Sequence, residues 1–283
     1  MKRLMSLLLL FVMAFSITAC HNTAPQNSDY KQAIEINYSA FCEWGGGEYQ
    51  IIDGELYCRK ENSLGLLGED IFAYYEDWTK TNIEAVNIVH IEVYGGILIY
   101  LTKDGKVHAL GYSYEWAGWG PTGGDTTERI TTPVILFEDC KTASLGARFV
   151  LFLKNDSTLW FVGESLNGQS KQVKEVVSKP IKLADNVLFA KAIGYTSSWI
   201  DSEYNLYLCG DNSYGQIGNG KMGCGYPTMY KDIVAEPYCA LKDCIAFSAN
   251  YELNGVITAK AETTTGEIYV WGGSKGAKPV LEN

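Results

Sequence analysis

Four aromatic side chains fall within eight residues of one glycine-containing stretch, and they are the clearest sign of binding chemistry in this sequence. They are Tyr112, Tyr114, Trp116 and Trp119. Tyr and Trp bury large, rigid surfaces and are favoured in protein interfaces and in carbohydrate or peptide sites. The alternative is that two of them fill the core between neighbouring structural units. We take the four as candidate binding residues.

Groups suited to catalysis are scarce. A catalytic nucleophile needs a neighbouring base. Of the three histidines, His90 and His108 lie in strand-like segments and His21 lies near the N-terminus. Acidic residues are plentiful, but their spacing selects no two of them as the carboxylate pair that hydrolyses glycosides. The sequence therefore predicts no catalytic residues.

Metal and cofactor sites have equally little support. Seven cysteines follow Cys20 with no C-x-x-C spacing, and their disulfide pattern is not readable from the sequence. Gly218–Gly223 matches G-x-G-x-x-G, but Pro227 follows closely, so a helix that could receive a phosphate is not expected there. Residues 211–213 (DNS) lack the downstream acid of a calcium loop. We predict no metal and no cofactor.

The elements that must position these residues repeat along the chain. In residues 206–220 (LYLCGDNSYGQIGNG) a short apolar strand runs into Gly210 and then into a glycine-punctuated loop. Weaker copies occur at 56–68, 107–118, 159–169 and 268–273, where Lys60, Gly111, Gly163 and Gly272 are equivalent to Gly210. A period of about 50 residues built from strands and glycine turns is typical of a repeat architecture.

Three further features bear on the strands of the repeats. Asp104-Gly105 between alternating apolar runs predicts a two-residue hairpin turn, with Thr102 opposite Val107. Residues 69–86 fit the pattern poorly, and we expect either a short helix or an outer strand there. Prolines open short apolar runs after the later loops, which suits the first residue of a strand. These are Pro133, Pro180, Pro237 and Pro279.

Residues 206–218 resemble the repeat of the regulator of chromosome condensation family, whose strand ends in W/C-G-x-N-x-x-G-Q-L-G. The resemblance covers roughly residues 34–283 and is strongest in the fourth repeat. It implies an all-β fold, a β-propeller of four-stranded blades, and action by contact with other proteins. The family usually has seven repeats, and this sequence shows five. We favour a closed ring of five blades in which residues 33–37 supply the last strand.

The N-terminus resembles a bacterial lipoprotein signal. Lys2 and Arg3 precede an apolar run at residues 4–15, and residues 17–20 (ITAC) resemble a lipobox. We expect a signal peptide at 1–19, a lipidated Cys20 with a flexible tether over 20–33, and a propeller domain over 34–283. An ordinary signal peptide or a membrane anchor is the alternative. Lipidation would fix the protein to the cell membrane or outer membrane, outside the cytoplasm.

Charge narrows the choice of partners. The formal net charge of −10 argues against nucleic acid and against electrostatic binding to anionic lipid. We therefore predict a non-enzymatic, lipid-anchored binding scaffold that presents propeller loops to a protein or glycan partner. One alternative is a carbohydrate-active enzyme with an acidic pair at the axial mouth of the propeller. Another is a structural envelope component without a discrete ligand.

Overall fold

The computed structural model describes residues 39–41, 47–68, 72–112, 129–173, 175–223, 232–251 and 256–282. The strands within these ranges form five antiparallel sheets, each built from four strands consecutive in the chain. The predicted all-β fold with five four-stranded repeats is thereby confirmed. We call the sheets blades 1 to 5.

Each blade runs from an innermost to an outermost strand in chain order. Blade 1 contains β1 (Ser39–Phe41), β2 (Glu48–Ile52), β3 (Glu55–Glu61) and β4 (Tyr74–Lys80). Blade 2 contains β5 (Ile88–Tyr94), β6 (Ile97–Thr102), β7 (Val107–Tyr112) and β8 (Arg129–Phe137). Blade 3 contains β9 (Cys140–Leu145), β10 (Phe149–Lys154), β11 (Leu159–Ser165) and β12 (Glu175–Ala184). Blade 4 contains β13 (Val187–Ile193), β14 (Thr196–Asp201), β15 (Leu206–Asp211) and β16 (Ile233–Leu241). Blade 5 contains β17 (Cys244–Tyr251), β18 (Ile257–Thr263), β19 (Ile268–Trp271) and β20 (Val280–Leu281), with a 3-10 helix at Gly273–Lys275.

The positions predicted to be equivalent to Gly210 all have positive φ, which L side chains rarely adopt. The φ angles are 64° at Lys60, 111° at Gly111, 123° at Gly163, 122° at Gly210 and 84° at Gly272. Glycine recurs at this position because the strand bends there against the preceding strand of the same blade.

The hairpin of blade 2 differs from its prediction by one residue. Leu101, not Thr102, lies opposite Val107. The Gly105 N–H donates to the Thr102 carbonyl (2.9 Å), and Gly105 has a φ of 83°. This is a three-residue loop that ends in a glycine bulge, the next most common hairpin after the two-residue turn.

Backbone hydrogen bonds join each blade to the next at the same point of the repeat. A carbonyl in the hairpin between the second and third strands accepts from the amide that opens the next blade. The bonds run from Ile88 to Gly54 (2.9 Å), Cys140 to Gly105 (2.8 Å), Val187 to Ser157 (2.9 Å) and Cys244 to Tyr204 (2.8 Å). A register shift in one hairpin would therefore break a bond to the neighbouring blade.

Four clusters of buried apolar side chains lie between successive blades, from blades 1 and 2 to blades 4 and 5. The outward faces of the end blades carry polar side chains that are partly or fully exposed, including Arg59 and Lys80 on blade 1 and Ser248 and Lys260 on blade 5. In the described ranges no buried cluster joins blade 5 to blade 1. Closure of the ring therefore stays a prediction.

Three of the four prolines lie inside outermost strands and not at their first residues as predicted, whereas Pro279 directly precedes β20. Pro133 is in β8, Pro180 in β12 and Pro237 in β16. The pairing of each strand with its neighbour shifts register beside the proline. Because proline has no N–H to donate, an irregular edge strand accommodates it, and the proline also protects the open edge.

Two other expectations are corrected. The helix expected within residues 69–86 is wrong, and the outer-strand alternative is confirmed by β4, which pairs with β3. The fourth strand of blade 5 is β20, which pairs with β19. The expectation that residues 33–37 supply that strand is therefore wrong, and those residues lie outside the described ranges.

Candidate functional site

A cleft of about 360 Å³ opens between blades 1 and 2. Blade 2 contributes Thr131 and Thr132 of β8, and both are exposed. The opposite wall comes from the loop after β3 and from the segment that follows β4. Its residues are Gly65, Leu66, Gly68, Asn82 and Ile83.

The blade 1 wall is held by the buried side chain of Asn62. Its Oδ1 accepts from the Leu67 N–H (3.0 Å), and its Nδ2 donates to the Gly68 carbonyl (3.1 Å). The Asn82 N–H donates to the Leu66 carbonyl (2.8 Å), which ties the segment after β4 to the same loop. The wall is therefore formed before any ligand binds, which reduces the entropy lost on binding.

The equivalent junction is closed between later blades. A Cβ on Gly168 of blade 3 would lie 2.8 Å from the Cα of Ala235, and one on Gly215 of blade 4 would lie 2.8 Å from the Cβ of Ala277. Both alanines stand two residues before the proline of the next blade. Thr131 holds that position in blade 2, opposite the loop that contains Gly65. Since Thr is larger and β-branched, we attribute the open cleft partly to this substitution.

A second polar cluster links the innermost strands of blades 2, 3 and 4. Lys191 Nζ lies 3.2 Å from Glu92 Oε1. The Ser144 Oγ and the Leu145 N–H donate to Glu92 Oε2 (3.3 and 2.5 Å). The side chains of Glu92 and Lys191 are only 12% and 21% exposed. The adjoining cavity is about 10 Å³, roughly enough for a single water, so this cluster ties blades together and is not a ligand pocket.

The electrostatics of this cluster keep Glu92 ionised. Burial raises the pKa of the Glu92 carboxyl, but the neighbouring His90 and the positive charge of Lys191 lower it by more. The net pKa of Glu92 therefore lies below its usual value. An enzyme that hydrolyses glycosides needs two carboxylates. Among the described residues that line this cavity, Glu92 is the one acid, and Lys191 neutralises it.

The predicted site residues fall largely outside the described ranges. Tyr112 is the last residue of β7, and its backbone pairs with Arg129, the first residue of β8. Tyr114, Trp116 and Trp119 lie outside the described residues, as does Cys20.

The histidines and the glycine-rich run have local roles. His108 stacks on Tyr100 with ring centroids 4.7 Å apart, and burial lowers the pKa of His108. His90 is buried, 3.6 Å from Glu92. The Gly220 N–H donates to the Ala277 carbonyl (2.7 Å), so this part of the G-x-G-x-x-G run serves the junction between blades 4 and 5.

In the ranges that the structure describes, no group of three or more His, Cys, Asp or Glu side chains is placed to hold a metal ion. No helix within those ranges is long and apolar enough to cross a membrane.

No protein-family model matches the chain. Human WBSCR16 is similar in structure, with a TM-score of 0.67 and 16% sequence identity over 88% of this chain and 66% of that one. Prp20p from Saccharomyces cerevisiae gives a TM-score of 0.63 and 20% identity over 84% of this chain and 61% of that one. Yeast RCC1 (Prp20) bound to Kap60 gives a TM-score of 0.64 and 20% identity over 84% and 59%.

These similarities define the class of the fold, a β-propeller. The solved structures similar to this chain include yeast RCC1, in agreement with the repeat resemblance of residues 206–218. At such identities the likeness concerns the fold alone. The chain spans less than two thirds of the length of the matched protein in each of these three structures.

The sequence reasoning missed both the cleft and the ion pair between Glu92 and Lys191. A usable signal for the cleft was the residue two places before each proline, which is Ala in blades 4 and 5 and Thr in blade 2. The usable signal for the ion pair was a charged residue in a mostly apolar innermost strand. These residues are Glu92 in IVHIEVY and Lys191 in VLFAKAI.

Proposed function

We propose that this protein is a lipid-anchored, extracytoplasmic binding scaffold that holds a protein or glycan partner in the cleft between blades 1 and 2. The observation that carries the proposal is the cleft itself, because the equivalent junctions at Gly168 and Gly215 are filled. A preformed concave surface that interrupts a repeated packing pattern is a good candidate for binding.

The aromatic stretch supports this choice of surface. It lies in the chain between Tyr112, the last residue of β7, and Arg129, the first residue of β8, and Thr131 of the cleft wall is two residues further on. We propose that the Tyr and Trp side chains of this stretch add rigid apolar contact area to the binding surface at low cost in conformational entropy.

Structural neighbours offer a precedent for binding to other proteins. The yeast protein RCC1 (Prp20) binds Gsp1p and histones, and it also forms a complex with Kap60. These partners belong to that protein. For this protein we infer only that the same fold serves as a binding surface, and this inference rests on similarity of fold.

Filling the cleft tests this proposal. Thr132→Trp adds an indole at the cleft wall and is expected to reduce partner capture about tenfold or more. The full-length chain in detergent serves as bait for envelope and host extracts, and bound material is quantified by mass spectrometry. Lys179→Trp is the matched control, because Lys179 precedes the proline of blade 3 and is exposed. Equal capture by Thr132→Trp and the unmodified chain would contradict the proposal.

The lipid anchor has its own test. Cys20→Ser is expected to abolish incorporation of labelled palmitate and to release the protein from the membrane fraction, since acylation supplies the anchor. Cys239→Ser, at a half-buried thiol in β16, should retain both label and membrane association. A Cys20→Ser protein that still carries label would refute lipidation at this residue.

A further inference from the structure

The chemistry of the cleft narrows the class of its ligand. Its hydrogen-bonding side chains are the Thr131 and Thr132 hydroxyls and the Asn82 amide. Each of these groups can both donate and accept. Leu66 and Ile83 also line the cleft but belong to the buried core between the blades, with only 2% and 6% of their surfaces exposed, and Gly65 and Gly68 expose backbone. None of the described lining residues is ionisable, so nothing in this lining would repay the desolvation of a charged ligand.

The size of the cleft suits a small oligomeric ligand. Its volume of about 360 Å³ falls at the lower end of the range for small-molecule sites, roughly 300–1,000 Å³. Hydroxyl-rich rings match a lining that offers hydroxyl, amide and backbone groups and that carries no ionisable side chain among its described residues. The formal net charge of −10 further disfavours an anionic ligand.

An extended peptide fits this wall less well. A peptide that recognises an edge strand adds to it through backbone hydrogen bonds. Pro133 follows Thr132 directly and has no N–H to donate, and β8 shifts register beside it. The row of backbone hydrogen-bonding groups along β8 is therefore interrupted where an added peptide strand would need it to be continuous. The side-chain hydroxyls of the wall remain available to a sugar.

We propose that the cleft between blades 1 and 2 binds a neutral oligosaccharide. This inference rests on the proposed function, because it takes the cleft as the binding site and specifies its ligand. Thr131, Thr132 and Asn82, which are exposed, supply hydrogen bonds to sugar hydroxyls, and the backbone at Gly65 and Gly68 lets a sugar ring approach the wall closely.

The test uses a printed array of neutral and anionic oligosaccharides, probed with the full-length chain in a detergent that carries no sugar. The glycan with the strongest signal is then titrated calorimetrically. We expect neutral glycans to bind, and Thr131→Val and Asn82→Ala each to weaken binding about three- to tenfold, as the loss of one or two hydrogen bonds predicts. Thr131→Val keeps the β-branched shape and removes only the hydroxyl's polarity. Ser178→Ala, at the corresponding exposed position of blade 3, is the control and should leave binding unchanged.

The outcomes separate this inference from the proposed function. An array that retains no glycan, or only anionic ones, overturns the inference, as does binding that tolerates both Thr131→Val and Asn82→Ala. If the array is blank while Thr132→Trp still abolishes capture of a protein, the cleft is a binding site for a different ligand class. If Thr132→Trp leaves all capture intact, the proposed function itself fails.

Discussion

Gly163→Ala is expected to destabilise the protein by about 3–5 kcal/mol, the range of substitutions that force backbone rearrangement. Gly163 has a φ of 123°, which a residue with a Cβ rarely adopts. A Cβ there would lie 2.5 Å from the Arg148 carbonyl oxygen and 2.6 Å from the Cα of Phe149. Both are backbone atoms at the start of β10, the neighbouring strand, so a side-chain rotation cannot relieve the clash. Phe149 is fully buried in the core between blades 3 and 4, and that core would have to shift as well.

Gly266→Ala is the matched control. Gly266 also has a positive φ, 80°, but nothing lies within 4 Å of a Cβ built on it. Gly266→Ala should lower the free energy of unfolding by about 1–2 kcal/mol, which is the penalty of the left-handed conformation alone. Urea unfolding followed by tryptophan fluorescence gives both values from the midpoint and slope. Similar costs for the two variants would show that close packing at Gly163 contributes little.

The sequence predicted those features that depend on local geometry. Glycine spacing located the bend at Gly163 and Gly210, because a positive φ is required within a single strand and its neighbour. The four-stranded repeat followed from the same spacing, since each blade is built from consecutive strands.

The two Asp-Gly hairpins show that a dipeptide alone does not determine the type of turn. Asp53-Gly54 and Asp104-Gly105 are the same dipeptide, yet the first forms a two-residue turn with Ile52 opposite Glu55 and the second a three-residue loop. In blade 2 the Thr102 hydroxyl lies 2.5 Å from Asp104 Oδ1 and 3.1 Å from the Lys106 carbonyl oxygen and can donate its hydrogen to either. Ile52, the residue before the turn in blade 1, has no hydroxyl and cannot make either bond. We therefore attribute the difference between the two turns to the residue that precedes each of them.

The candidate site was harder to predict because it is made by contacts between blades. The cleft depends on how the loop around Gly65 meets Thr131, and these residues are brought together only when two blades pack. Glu92 and Lys191 come from blades 2 and 4 and meet at the innermost strands. No periodicity within one repeat encodes either contact.

Lys191→Met should destabilise the protein by about 2–4 kcal/mol near neutral pH, because it leaves the Glu92 carboxylate buried without its counter-charge. This loss of stability is slightly smaller than that expected for a fully buried ion pair, because the Lys191 side chain is 21% exposed. Glu92→Gln combined with Lys191→Met removes both charges and should recover much of the loss. Lys80→Met, which removes the exposed partner of Glu55 (2.7 Å), should change stability little and serves as the control.

The pH dependence distinguishes this electrostatic cause from a loss of packing. In the unmodified chain the folded pKa of Glu92 is lowered, so its stabilising contribution is present above the unfolded value of about 4.3 and is lost as pH falls through the folded pKa. In Lys191→Met, the loss of the positive charge should raise the Glu92 pKa relative to the unmodified chain, although His90 and the Leu145 N–H still lower it, so acidification from pH 7 towards pH 4 should narrow the difference in unfolding free energy between the two proteins. Urea titrations of both proteins at several pH values measure that difference. A deficit that stays constant over this range would mean that Lys191 acts through its aliphatic stem, and the ion pair would not be what ties blades 2 and 4 together.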